Sequence, residues 1–115
     1  MTVTEINSHV FLFVPFAFEE FRNVTSKNTP TVFDFWASGC GRCKAVAPIF
    51  EEASNGVNGA EFYKLNVDMV PDAAQEVGVY AMPTFMVFKD GAKLNEVVGA
   101  NSAKLHQLVE QAPSL

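Results

Sequence analysis

The six residues Thr31–Trp36 (Thr-Val-Phe-Asp-Phe-Trp) do most to restrict the folds open to this chain. Apart from Asp34 they are β-branched or aromatic on both alternating faces. A strand with one wet face alternates apolar and polar residues, whereas one apolar on both sides belongs inside a sheet covered on both faces. The period then changes. Val46, Ile49, Phe50 and Ala53 recur at i, i+3, i+4 and i+7, which predicts a helix from about Lys44 to Ala53, with Pro48 inside it to bend it.

The rest of the chain continues this alternation. Glu61–Asp68 reads as a second strand and Pro71–Val77 as a short helix with proline in its first turn. Thr84–Phe88 and Leu94–Val98 read as strands joined through Asp90-Gly91, a strong hairpin signal. Asn101 can cap a last helix with Leu105, Leu108, Val109 and Ala112 on its apolar face. An earlier helix is expected from about Phe18 to Lys27, with Phe21 and Val24 inward. Alternation implies parallel βαβ units, and the late hairpin adds antiparallel strands. The fold class is α/β: a mixed sheet with helices on both faces.

Composition narrows the function. The chain has 115 residues, 49% hydrophobic and 18% charged, which suits one globular domain and excludes a disordered chain. A net charge of −5, with no basic cluster, argues against nucleic acid or an anionic membrane as partner. The longest apolar run, Val10–Phe18, is too short to span a bilayer, and it lacks the preceding basic residues and following cleavage site of a signal peptide. A cytoplasmic location is therefore expected.

The only two cysteines, Cys40 and Cys43, straddle the junction between the central strand and its helix. Unpaired N–H groups and the helix dipole favour a thiolate at a helix start. Cys40 should sit at or just before the first turn and attack as thiolate. Cys43, a turn further in and more buried, should resolve the mixed disulfide. The rival is zinc, which wants four ligands. The further candidates, His9 and His106, lie near opposite ends of the chain without ligand spacing and read as surface residues, so no metal site is assigned. Asp34 is the second clue: a carboxylate among apolar residues should have a raised pKa and can carry a proton. Pro83 in Met82-Pro83-Thr84, directly before a strand, is the third.

Together these pieces resemble the thioredoxin family over nearly the whole chain, from about Phe18 to Val109. Phe-Asp-Phe-Trp-Ala, Cys-Gly-x-Cys-Lys with a proline five residues on, Lys-Leu-Asn-Val-Asp, Met-Pro-Thr-Phe, Lys-Asp-Gly and Val-Gly-Ala-Asn all occur in family order. The resemblance implies a thioredoxin fold, a central mixed five-stranded sheet flanked by four helices in one domain over residues 1–115. It implies Cys40 as nucleophile, Cys43 as resolving thiol, Asp34 as proton relay to Cys43 and Lys64 as charge partner of Asp34. Trp36 would pack beside the disulfide loop, with Gly41 and Arg42 tuning the pair between the cysteines. Pro83 would be cis and lie against the cysteines. The Met82 backbone would pair with a substrate strand, and Gly99, with Tyr80 bordering, would line the same groove. The function implied is reduction of disulfides in other proteins, without a bound cofactor, followed by re-reduction by an NADPH-dependent thioredoxin reductase.

Four departures from the family pattern stand out. Arg42 replaces the usual proline, which restores an N–H and adds a charge, both favouring the Cys40 thiolate and a less negative potential. Gly39 replaces an aromatic that normally contacts partners, and Tyr80 stands where arginine is common. Residues 7–17, including Val10–Pro15, separate Val-Thr-Glu-Ile (Val3–Ile6), which resembles the family's first strand, from Phe18–Phe21, which resembles its first helix. Around residues 7–17 the chain holds either an apolar insertion or, with Val10–Val14 as the strand itself, an extended N-terminus. An exposed insertion would be a sticky surface through which a weak homodimer could form. Two rival functions follow: an oxidase or isomerase of raised potential, and a binding module of low turnover on the same fold.

Overall fold

The computed structural model describes residues 3–6 and 14–115, with the backbone alone for residues 14–16. In chain order the elements are β1 (Val3–Ile6), α1 (Val14–Thr25), β2 (Thr31–Trp36), α2 (Gly41–Asn55), β3 (Glu61–Asn66), α3 (Pro71–Val77), β4 (Thr84–Lys89), β5 (Ala92–Val98) and α4 (Ser102–Gln111), followed by a 3-10 turn at Ala112–Ser114. The five strands form one sheet in the order β1-β3-β2-β4-β5. β1 and β2 run parallel to β3, and the β4–β5 hairpin is antiparallel to β2 and to itself.

The hexapeptide Thr31–Trp36 is the middle strand. Val32, Phe33 and Phe35 are fully buried because the sheet is covered on both sides. One side packs α1 and α3 through Phe21, Phe33, Phe35, Tyr63, Leu65, Met86 and Phe88. The other packs α2 and α4 through Val46, Phe50, Phe62, Phe85, Leu105 and Leu108. Each such side chain removed from water contributes about 2 kcal/mol. The Phe21 and Phe33 rings meet edge to face at 5.0 Å, the arrangement their quadrupoles favour. The hairpin turns at Asp90 (φ 54°) and Gly91 (φ 82°), two positive-φ positions that match the twist of the flanking strands.

Several boundaries differ from those expected. The first strand is Val3–Ile6, paired residue for residue with Phe62–Leu65. The alternative strand at Val10–Val14 falls on residues outside those described, as far as residue 13, and Val14 already belongs to α1. α1 starts a turn before Phe18, with Pro15 in its first turn, where a missing N–H costs nothing. It stops at Thr25, where the Thr25 and Ser26 hydroxyls both donate to the Arg22 carbonyl. α2 starts at Gly41 rather than Lys44 and runs on through Pro48. β3 ends at Asn66, two residues early, because the Asn66 side chain accepts from the Asp68 N–H and turns the chain. β4 runs one residue past Phe88 and β5 starts two residues before Leu94, since the tight turn brings both flanks into register.

Candidate active site

Cys40 is the N-cap of α2, in extended conformation (φ −85°, ψ 105°). Its Sγ accepts a hydrogen bond from the Cys43 N–H at 3.2 Å, the place a capping oxygen normally takes. The two cysteines form a disulfide with Cα atoms 5.3 Å apart, within the range that bond requires. Their environments differ as expected: Cys43 is 3% exposed, whereas Cys40 is half-buried. A sulfur at the mouth of α2 faces unpaired backbone donors and the positive end of the helix dipole, so negative charge is favoured on Cys40. Arg42 lies in the exposed first turn beside it.

The loop that delivers Cys40 is held by a network that the sequence analysis missed. The Ser38 N–H donates to Asp68 Oδ2 at 3.1 Å, and Asn66 Nδ2 donates to Ser38 Oγ at 3.2 Å. These bonds tie the β2–α2 loop to the β3–α3 loop. The signal available was Asn66-Val67-Asp68 directly after a strand, a common pattern for a side-chain-capped turn. Gly39 has φ +79°, in the left-handed region that glycine adopts without strain.

Asp34 is 2% exposed. Strand register sets Glu5, Lys64 and Asp34 side by side across β1, β3 and β2, on the face covered by α2. Asp34, Trp36, Cys43, Lys44, Ala47 and Lys64 line one pocket of about 180 Å³. Among the described residues, Asp34 Oδ1 is buried without a hydrogen-bond partner, as is the Trp36 indole nitrogen. Burial pushes the Asp34 carboxyl up from 3.8 to about 7; Lys64 opposes that rise, and the Glu5 and Glu51 charges add to it. Among the described residues, the carboxylate within 4.0 Å of Lys64 Nζ is Glu5 rather than Asp34. The same ammonium lies 5.9 Å from the centroid of the Trp36 ring. Lys64 thus faces Asp34 across the sheet as a neighbouring charge and not as a contact ion pair.

On the other side of the disulfide the Met82-Pro83 peptide is cis, and the Met82 carbonyl oxygen lies 3.8 Å from Cys40 Sγ. Pro83 is buried, and its carbonyl accepts from the Gly99 N–H at 2.8 Å. Cys40, Met82, Pro83 and Gly99 therefore share one neighbourhood. Tyr80 stands in the same connection to β4 and is 91% exposed. His106 is exposed on α4, and His9 lies outside the described residues.

The thioredoxin family profile matches residues 13–111. The chain is 45% identical over 91 residues to thioredoxin-1 of Schizosaccharomyces pombe, covering 79% of this chain and 88% of that protein. It is 44% identical over 97 residues to the thioredoxin of Malassezia sympodialis, covering 83% and 92%. The crystal structure of the Malassezia protein superposes with a TM-score of 0.81 at 38% identity, over 97% of this chain and 91% of that one. A Plasmodium falciparum thioredoxin superposes with a TM-score of 0.82 at 34% identity, over 95% and 98%. The chain belongs to the thioredoxin family, and its Cys40–Cys43 pair makes it a thiol-disulfide oxidoreductase, a reductase of disulfides in proteins.

Proposed function

We propose that Cys40 is the attacking sulfur, Cys43 the resolving one and Asp34 the proton relay. The observation that carries this reading is the unequal setting of the two sulfurs, one capping α2 and half-buried, the other buried beside the Asp34 pocket. The Cys40 thiolate attacks a substrate disulfide, forms a mixed disulfide and expels one substrate thiolate. The Cys43 thiol gives its proton to the Asp34 carboxylate and attacks Cys40 Sγ. This closes the Cys40–Cys43 bond and releases the second substrate thiolate, so two electrons pass to the substrate. A carboxyl poised near neutrality suits both directions of that transfer. Lys64 biases Asp34 as a neighbouring charge, and Trp36 walls the pocket. The backbone of Met82, with Pro83, Gly99 and Tyr80, offers an extended substrate segment a place beside the sulfurs, while Gly41 and Arg42 tune the thiolate.

In this reading the protein is one domain over residues 1–115, works in the cytoplasm and is recharged by an NADPH-dependent thioredoxin reductase. No described helix is long and apolar enough to cross a membrane. The test is insulin reduction coupled to NADPH and a reductase. Cys40→Ser should abolish turnover, and Cys43→Ser should accumulate a mixed disulfide with substrate. Turnover retained in Cys40→Ser would remove the assignment.

A further inference from the structure

The polar row Glu5–Lys64–Asp34 has a member that the proposed chemistry does not use. Glu5 stands in edge strand β1, directly opposite Lys64 in the register, and Lys64 is directly opposite Asp34. Lys64 therefore stands between two acidic residues on one face of the sheet. Glu5 Oε1 is 4.0 Å from Lys64 Nζ, too long for a hydrogen bond. Glu5 Oε2 is buried and has no hydrogen-bond partner among the described residues. A half-buried charge of this kind is screened far less than a solvated one.

We propose that Glu5 is a positioning residue: by sharing the Lys64 ammonium with Asp34, it sets the pH at which the Asp34 carboxyl takes up its proton. The consequence for catalysis rests on the relay role given above to Asp34. The groups facing Asp34 from each packed element are Lys64 on β3, Glu5 beyond it on β1, and Cys43, Lys44 and Glu51 on α2; β4 presents uncharged Phe85. Lys44 and Glu51 are exposed, so solvent weakens their hold. The direction of the Glu5 influence on Asp34, upward, agrees with the geometry. Two strand spacings separate Glu5 from Asp34, about 10 Å. At that range an incompletely screened charge displaces a titration midpoint by about one pH unit.

The experiment follows the Asp34 side-chain carboxyl by carbon-13 NMR titration of the oxidised protein, alongside the pH profile of disulfide exchange. Glu5→Gln keeps the shape of the side chain and the backbone pairing of β1. The Asp34 midpoint should fall by about one pH unit in Glu5→Gln and rise in Lys64→Gln. Glu5→Asp, which retains the charge, should keep part of the upward displacement. An Asp34 midpoint unmoved in Glu5→Gln, or moved equally in Glu5→Asp, overturns the inference. The exchange profile separates the two readings. If it follows the Asp34 midpoint in Glu5→Gln, and Glu5→Gln has no effect on it in an Asp34→Asn background, both stand. If the midpoint falls while the profile stays fixed, the Glu5 inference stands and the relay role of Asp34 is lost.

Discussion

Replacing Asp34 with asparagine should make the oxidised protein more stable, and only at neutral and alkaline pH. The carboxyl is buried, Oδ1 has no hydrogen-bond partner among the described residues, and burial pushes its pKa up from 3.8 to about 7. A group whose pKa is raised on folding binds its proton more tightly in the native state. Its stabilising contribution is complete below the unfolded value, near 4, and is lost as pH rises through about 7. At about 1.4 kcal/mol per pKa unit, the full span is about 4 kcal/mol. Asparagine resembles the protonated acid in shape and charge and has no such dependence. Between pH 5 and pH 8 the stability of wild type relative to Asp34→Asn should therefore fall by about 3 kcal/mol. Urea unfolding of both oxidised proteins at each pH measures the difference, and subtracting one from the other removes every titration they share. A difference independent of pH would refute the claim that burial holds this carboxyl near neutrality.

Other expectations can be checked separately. Arg42→Pro removes an N–H and a positive charge from the first turn of α2. The potential should become more negative by roughly 30–65 mV, the equivalent of one hydrogen bond to a charged sulfur; equilibration with glutathione reads it. Asp68→Ala removes the acceptor of the Ser38 N–H and should cost about 1 kcal/mol in chemical denaturation. Gly78 closes α3 at φ +80°, and an added Cβ would meet the Tyr80 ring at an ordinary 3.7 Å. Gly78→Ala should therefore cost about 1 kcal/mol, from backbone strain and not from a clash.

The parts of this molecule legible in the sequence were those whose signal is local. Thr31–Trp36 announced a doubly covered strand because Val32 enters one core and Phe33 and Phe35 the other, and Asp34 stood out within it as the one carboxylate. Cys40 and Cys43 were readable as an unequal pair because they straddle the change of period from strand to helix. The last helix presented Leu105, Leu108 and Val109 inward as expected, while Ala112, also buried, falls in the 3-10 turn that follows it. What escaped depends on register. Glu5 reads as an ordinary surface acid until three strands are aligned and it falls in line with Lys64 and Asp34. The Ser38–Asn66 bond joins residues 28 apart through loops, where no periodicity operates. Helix ends shifted for a similar reason: Cys40 caps α2 with its sulfur, and a cap is decided by one side chain rather than by a repeating pattern.

The two apolar layers described above divide labour in a way that bears on how such a chain can drift. Asp34, Lys64 and Cys43 all belong to the α2 side, while Phe21, Phe33, Phe35 and Phe88 crowd the α1 side. The sheet acts as a bulkhead between them. Substitutions in the aromatic hold can loosen or tighten the vessel while the electrical gear on the opposite wall keeps its setting. Robustness and redox character are thus separately adjustable, since the same strands carry each on alternate residues.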